Sequence, residues 1–252
     1  MEKALHSFEI INEHTLIKRM DKSLLNYGEI RIPNYLRDFF HFHEMEKHDR
    51  WDILISFRGK SYAGVLYLDN YQRMRGKLRW SKDLTTLLYQ AGMKYIFPPD
   101  EEMIDPNDIP LLRLEKISSK EYKADLIFPE YITKDAKEYL LHEDKFIYGV
   151  KARFETDDNI RLKVLKIHGT NCNICDFNYE EAYGDLGIGY IQIHQIASEE
   201  KTEKELNYDD DFIPICENCH GILHRSKNKT LEVSELKQIF RLREELRKTE
   251  KS

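Results

Sequence analysis

The stretch "CENCHGILHR" at residues 216–225 decides how the C-terminal half of this chain is organised. It contains a C-x-x-C pair, Cys216 and Cys219, and a second pair, Cys172 and Cys175, lies upstream in "CNIC". These are all four cysteines of the 252-residue chain. Nothing in the sequence points to export, so we do not expect disulfides. The paired spacing instead predicts one structural zinc ion held by four thiolates, with four unrelated buried thiols as the alternative.

The composition is that of a soluble globular protein with one large domain or two small ones, 41% hydrophobic and 33% charged. No apolar run is long enough to span a bilayer, so we expect no membrane association. The first residues do not resemble a secretory signal, and we expect a cytoplasmic location. The net charge of −6 argues, for the chain as a whole, against a nucleic-acid binder, although an average can hide a local basic patch.

Histidines surround the second cysteine pair. The residues after Cys219 look like the start of a helix, on which His220 and His224 would share one face and could chelate a second metal ion. His194 ends an apolar strand, "GYIQIHQI", between the two cysteine pairs, and the zinc ion would hold that strand near the helix. The alternative is a pair of surface histidines on an ordinary helix.

The order strand, excursion, strand, helix, with this cysteine spacing, resembles the HNH, or ββα-metal, nuclease module over roughly residues 160–248. It is especially similar to the zinc-containing version in McrA-like and related restriction endonucleases. The resemblance implies a site-specific DNA endonuclease that leaves a 5′-phosphate and a 3′-hydroxyl. It implies double-stranded DNA as the partner, a homodimer, and Mg²⁺ or another divalent cation at the catalytic site. A nicking or homing nuclease is the alternative within this class.

The resemblance also implies roles for individual residues. His194, His220 and His224 match the ligands of the catalytic metal ion. Asp211 stands at the Asn position of the motif, where the family residue holds the loop that orients the general base. Gln195 occupies the position of the general-base histidine.

Glutamine at position 195 cannot act as a base, because its amide only donates and accepts hydrogen bonds. Three explanations stay open. Gln195 is an engineered replacement that traps an uncut complex, or a natural variant that uses another base such as His168 or His142. In the third explanation, the protein binds DNA and no longer cuts it.

The sequence pattern of the N-terminal part predicts a β-rich domain with two short helices. We predict strands at 28–33, 51–57, 61–68, 76–80, 110–117 and 121–128. We predict helices at 34–42 and 81–92, with Ser81 as N-cap and Gly92 as the stop of the second. This element order is similar to the DNA-binding pseudobarrel of plant transcription factors and of some restriction-enzyme effector domains, with a generic β-rich domain as the alternative.

Residues 51–80 carry a local charge of +4 and interleaved aromatic side chains. Basic side chains can contact phosphates, and arginine can read guanine in the major groove. The candidate DNA-binding residues are Arg58, Lys60, Arg73, Arg75, Lys77 and Arg79. A solvated hairpin is the alternative. The histidines of "HFHEMEKH" (41–48) could indicate a metal site, but we interpret them as exposed side chains at the end of an amphipathic helix.

The predicted fold class is therefore α+β. A mixed, β-barrel-like DNA-recognition domain spans 1–135, a helical connector 136–160, and a ββα-metal nuclease domain with a four-cysteine zinc site 161–252. A last helix is predicted over 230–248, with Ser234 as N-cap. Its apolar stripe of Leu236, Ile239, Phe240 and Leu246 would pack on the nuclease core.

Overall fold

The structure, a computed structural model, describes residues 7–69, 75–97, 108–129, 158–196, 206–225 and 231–249. The chain divides into two compact units, Met1–Pro129 and Glu130–Ser252. Most of the predicted connector, 136–157, lies outside the described residues. Within the described part of the chain, no helix is both long and apolar enough to cross a bilayer.

A curled eight-stranded sheet, shaped as a half-barrel, makes up most of the first unit. Its strands are β1 (Phe8–Ile10), β2 (Thr15–Arg19), β3 (Glu29–Ile32), β4 (Arg50–Phe57), β5 (Lys60–Leu68), β6 (Gly76–Trp80), β7 (Leu111–Lys116) and β8 (Glu121–Ile127). Their order in the sheet is β1-β2-β7-β8-β4-β5-β6-β3. All of these neighbours are antiparallel except β8 and β4, which run parallel.

The core lies on one face of this sheet because apolar side chains alternate along the strands. On β4, Ile53, Ile55 and Phe57 are all buried. Leu66 on β5 faces Leu78 on β6, and both are fully buried. Burying each such side chain contributes about 1.5–3 kcal/mol. Two helices, α1 (Lys22–Tyr27) and α2 (Lys82–Ile96), pack against each other, and α1 also contacts β3.

All six predicted strands are confirmed, with ends shifted by at most one residue. Ser81 is the N-cap of α2, as predicted, because its hydroxyl accepts a hydrogen bond from the Leu84 N–H. Gly92 as the stop was wrong. The helix continues to Ile96, and Gly92 is a point of close packing inside it, because a Cβ there would lie 2.9 Å from the end of the Met20 side chain. The strands β1 and β2 and the helix α1 were not predicted.

The predicted helix at 34–42 is also wrong. The chain forms short 3-10 turns at Asn34–Leu36 and Phe42–Glu44 instead. His41, between them, has left-handed backbone torsions with φ of 56°, which a right-handed helix cannot contain. The buried rings of Phe40 and Phe42 hold this irregular segment against the core.

The second unit has the order helix, helix, strand, strand, helix, helix. Its elements are α3 (Asp158–His168), α4 (Tyr179–Tyr183), β9 (Gln192–Gln195), β10 (Phe212–Ile215), α5 (Glu217–Leu223) and α6 (Val233–Thr249). The strands β9 and β10 pair antiparallel, with His194 opposite Ile213. The helix α5 follows β10 directly, which makes a ββα unit.

The helix α6 confirms the predicted last helix, but Ser234 as its N-cap is wrong. The helix begins at Val233, and the Glu235 carboxylate accepts a hydrogen bond from the Glu232 N–H at 3.2 Å. Of the predicted stripe, Leu236 is buried, whereas Ile239 is 49% and Leu246 59% exposed. Only the first turns of α6 therefore join the core.

Gly28 offers a test of the first unit, because it ends α1 in the left-handed region with φ of 59°. A Cβ at this position would overlap Thr85 Oγ1. We expect Gly28→Ala to lower the free energy of unfolding by about 2 kcal/mol or more, from backbone strain and the overlap. Adding Thr85→Ala should recover only the part of this lost stability that comes from the steric overlap. Urea unfolding measures the free energies. A Gly28→Ala chain as stable as the parent would contradict this packing.

Candidate metal centre

The two cysteine pairs lie in local structures that point their sulfurs inward. Cys172 and Cys175 are in the turn before α4, where the Asp176 N–H donates to the Cys172 carbonyl at 2.9 Å and Asp176 is left-handed. Cys216 is the N-cap of α5, and its sulfur accepts from the Cys219 N–H at 3.5 Å. The second pair therefore starts the helix as well as offering ligands.

All four sulfurs lie within 4.8 Å of one another, and Cys175 Sγ is 3.7 Å from Cys216 Sγ. Zinc–sulfur bonds of about 2.3 Å in a tetrahedron put neighbouring sulfurs about 3.8 Å apart. The four cysteines are free, not disulfide-bonded. The cluster therefore fits a tetrahedral metal ion such as zinc.

The protonation of these thiols also fits a bound dication. Hydrogen bonds from Cys216 and Cys219 lower the pKa of Cys172. Burial raises the pKa of Cys175 to about 12, and hydrogen bonding with Cys172 raises the pKa of both Cys216 and Cys219. A dication between the sulfurs would favour the thiolate form of all four cysteines.

Apolar residues from four segments surround the sulfurs. Ile174, Ile213, Ile215, Leu223 and Leu236 form one buried cluster with the cysteines. Polar contacts add to it: the Glu217 N–H donates to the Tyr179 hydroxyl at 3.0 Å, and Lys237 donates to the Asn173 amide oxygen. The sulfur cluster therefore lies inside one of the buried apolar clusters of this unit.

Three imidazoles converge beside this cluster, as the sequence predicted for metal ligands. The ring centroids of His194, His220 and His224 are 5.4 Å, 5.1 Å and 4.7 Å apart, and one ring nitrogen from each lies within 4.8 Å of the others. His194 is buried on β9, and the two helix histidines are half-buried. The His220 N–H donates to the Cys216 carbonyl at 2.9 Å, so the cysteine cap positions the helix that carries two of the rings.

Gln195 is buried beside His194, as the last residue of β9. Because successive side chains along a strand alternate between its faces, Gln195 starts toward the face opposite His194. The structure therefore brings together three imidazoles, and Gln195 adjoins His194 in sequence on the opposite face of β9.

Asp211 holds the loop that precedes β10. Its carboxylate accepts from the Asn207 N–H at 2.8 Å, and its own N–H donates to the Asn207 carbonyl at 2.8 Å. Its carbonyl accepts from the Ile196 N–H at 2.8 Å, directly after Gln195. Sequence reasoning missed Asn207, which is the partner in this loop. The closely spaced polar residues of "NYDDD" were the available signal.

The candidate DNA-binding residues do not form one patch. Lys77 and Arg79 lie on β6 and contact the Glu29 carboxylate at 2.8 Å and 3.3 Å, and the Tyr67 hydroxyl also donates to it. Burial alone would raise the pKa of Glu29, but hydrogen bonds from Lys77 and Tyr67 lower it overall. Two of the basic residues predicted to contact DNA are thus paired with a carboxylate of the same sheet.

Arg58 and Lys60 lie at the opposite end of the β4–β5 hairpin, at its turn. The other end of the hairpin is the pair Arg50 and Tyr67. It lies seven residues along the strand from the turn, a distance of roughly 20–25 Å. Arg75 precedes β6, and its N–H donates to the Asp69 carboxylate at 2.9 Å. Arg73 lies outside the described residues. The basic residues therefore occupy two separate places on this unit.

No protein-family model matches the chain, and no curated protein matches it. Among solved structures, it is similar to the N-terminal domain of Helicobacter pylori LlaJI.R1. The identity is 17%, the match covers 52% of this chain and 92% of that chain, and the TM-score is 0.32. A likeness this slight does not establish a shared fold or function, and membership of the HNH family stays a prediction.

The cysteine cluster predicts one tightly bound zinc ion per chain, which elemental analysis of the purified protein measures. Cys216→Ser should lose this ion and unfold the second unit, while the first unit keeps its cooperative transition. Binding at such sites is worth about 10–16 kcal/mol, which is comparable to the whole stability of a domain. As a control, His220→Asn should keep the zinc ion. A parent protein without tightly bound zinc would contradict the prediction.

Proposed function

We propose that this protein is a metal-dependent, site-specific DNA endonuclease of the restriction type. The observation that carries the proposal is the convergence of His194, His220 and His224 on a ββα unit whose helix is capped by a ligand of the sulfur cluster. Two possible metal centres of different chemistry thus share one short helix.

The two clusters differ in what they leave open. Four thiolates fill the coordination sphere of zinc, so the cysteine cluster has no position for a substrate. Three imidazoles leave at least one position for water or a phosphate oxygen, as in catalytic sites. Imidazole ligands suit zinc, nickel and other transition ions better than Mg²⁺, which prefers oxygen ligands. Of the divalent cations that the sequence analysis left open, we therefore propose a transition-metal ion rather than Mg²⁺ at the histidine cluster.

Phosphodiester hydrolysis needs two contributions from such a site. When bound, the ion supplies positive charge that offsets the anionic phosphate oxygens and the leaving 3′-oxygen. The residues of this chain hold its ligands in place: His194 is fixed by the β9–β10 ladder, and His220 and His224 are fixed by a helix anchored at Cys216. The proposed products carry a 5′-phosphate and a 3′-hydroxyl.

The attacking water must also lose a proton, and Gln195 has no basic nitrogen to accept it. Asp211 acts as a positioning residue, because its carbonyl fixes the backbone just after Gln195. His168, half-buried at the end of α3, is the described alternative for the base, and His142 lies outside the described residues. Loss of a general base typically reduces the rate about 10²–10⁴-fold.

A second function is favoured by the same glutamine. If no other base replaces it, the protein binds DNA without cutting, and the ββα unit serves as a scaffold. The two proposals share double-stranded DNA as the partner. A homodimer is proposed for cleavage, because each subunit would cut one strand.

We predict that the chain cuts DNA very poorly and that Gln195→His cuts at least about 10²-fold faster. Histidine fills a similar volume and adds the missing basic nitrogen. Plasmid cleavage with Mn²⁺, Zn²⁺ or Mg²⁺ measures the rate, and the ratio of nicked to linear product counts the strands cut.

The matched control is the double variant His194→Asn, Gln195→His, which keeps the new base and removes a metal ligand, so it should not cut. Equal cleavage by the parent and Gln195→His would show that position 195 is not the base. If neither protein cuts any DNA, the non-cleaving function is favoured.

The two basic places on the sheet predict different salt responses of DNA binding. We expect one of two paired variants, Arg58→Ala with Lys60→Ala or Arg75→Ala with Arg79→Ala, to weaken binding. It should also reduce the slope of log K against log salt by about 0.9 for each phosphate that the variant no longer neutralises. Fluorescence anisotropy on a DNA duplex between low and moderate salt measures this slope. Unchanged affinity and slope in both variants would place the interface elsewhere.

A further inference from the structure

The segment between β3 and β4 alternates buried aromatic rings with outward imidazoles. Phe40 and Phe42 are fully or nearly fully buried, whereas His41 is half-buried and His43 is exposed. The aromatic anchors fix the backbone, so His41, between the two rings, and His43, directly after them, cannot turn into the core. The segment thus presents two imidazoles, followed by Glu44, at the surface.

The backbone of this segment is held in an uncommon conformation. His41 has a φ of 56°, in the left-handed region that side chains other than glycine rarely occupy. Hydrogen bonds fix it from both sides: the His41 N–H donates to the Asp38 carbonyl at 3.2 Å, and the Glu44 N–H donates to the His41 carbonyl at 3.0 Å. Such strain persists where surrounding structure enforces it, and it often occurs at ligand sites.

The side-chain atoms are spaced as metal ligands are. His41 Nδ1 lies 3.2 Å and His43 Nε2 3.5 Å from the same Glu44 carboxylate oxygen. One ligand atom from each of the three residues lies within 4.8 Å of the others. Tetrahedral ligands at about 2.0–2.1 Å from zinc are about 3.3–3.4 Å apart. The two measured distances match that edge, so small side-chain movements suffice to close the site.

A further carboxylate lies behind one ligand. His43 Nδ1 is 3.6 Å from Asp38 Oδ1, on the other side of the ring from Glu44. Metal-binding histidines typically donate their second N–H to a carboxylate, which fixes the tautomer and the ring. An exposed ion pair alone would contribute little stability, and so it does not by itself explain this arrangement.

We propose that His41, His43 and Glu44 form a binding site for a divalent transition-metal ion of the zinc class, with Asp38 orienting His43. Two imidazoles and one carboxylate favour Zn²⁺, Ni²⁺ or Cu²⁺ over Mg²⁺ or Ca²⁺. Three protein ligands on the surface leave the ion exchangeable, in contrast to the cysteine cluster. The site belongs to the first unit and does not depend on the nuclease function.

Occupation of this site would act on the sheet through Phe42. The Phe42 ring lies so close to Gly76 that a Cβ there would be 3.0 Å from it, and Gly76 begins β6 next to the basic residues Arg75 and Lys77. A metal ion at His41 and His43 would therefore rigidify the turn that packs against the start of β6.

The test is the number of exchangeable Zn²⁺ ions per full-length chain, measured by competition with a chromophoric chelator. The background protein carries His220→Asn and His224→Asn, which silences the other imidazole cluster. Adding His41→Asn and His43→Asn should remove one exchangeable equivalent. Asparagine is chosen because it tolerates the left-handed backbone at position 41.

The matched control adds His14→Asn and His48→Asn to the same background, which removes two exposed imidazoles outside the cluster and should keep the equivalent. Glu44→Gln alters one exposed ligand without disturbing the fold and should weaken Zn²⁺ binding. Asp38→Asn should weaken it about 10–100-fold. Equal zinc equivalents in the background protein and in its His41→Asn, His43→Asn derivative would overturn the proposal.

Discussion

The meeting of four cysteine sulfurs within 4.8 Å is the constraint on which the second unit depends. The elements that it joins are too short to be stable alone: β9 and β10 have four residues each, and α5 has seven. An isolated two-stranded hairpin is marginal in water, and so is a helix shorter than about 12–15 residues. The sulfur cluster brings the turn at Cys172 to the cap at Cys216, and the apolar cluster around Ile215 and Leu223 then becomes a core. Any chemistry at the histidines requires this meeting first.

One short helix, α5, contributes residues to both the cysteine and the histidine cluster. Cys216 caps α5, and its carbonyl accepts a hydrogen bond from the His220 N–H. The residue that would bind the structural ion therefore also fixes the position of His220 in the first turn of the helix. His224 follows one turn later, and its N–H donates to the His220 carbonyl. The sulfurs are mostly buried, whereas the helix histidines are half-buried. The sulfur cluster is thus shielded by apolar side chains, whereas the imidazole cluster is partly exposed.

Features with a local cause could be predicted from the sequence, and features set by distant contacts could not. The Ser81 cap, the six strands and the shared helix face of His220 and His224 follow from short-range patterns, and the approach of His194 could be inferred only because the spacing of the two cysteine pairs indicated a joining metal ion. Gly92 looked like a helix stop because glycine usually ends helices, but the distant Met20 needs the space beside it. Lys77 and Arg79 looked free for DNA because the pairing of β3 with β6, which brings Glu29 to them, is not visible in local sequence. The histidines at 41 and 43 looked like a helix end, because the anchoring of Phe40 and Phe42 in the core is a tertiary effect.

Among the described strand pairs, the parallel contact of β4 with β8 has a consequence for how the chain reaches its native state. It joins two four-stranded halves, β3 to β6 and β1, β2, β7 and β8, and it pairs Leu54 with Glu121. The β4–β5 and β7–β8 hairpins close short loops and can form early, whereas this seam must close a loop of more than sixty residues and the β2–β7 pairing one of more than ninety. Contacts between residues so distant in sequence slow folding. The two hairpins are therefore expected to form first, and the pairings of β4 with β8 and of β2 with β7 are expected to limit the rate at which the half-barrel assembles.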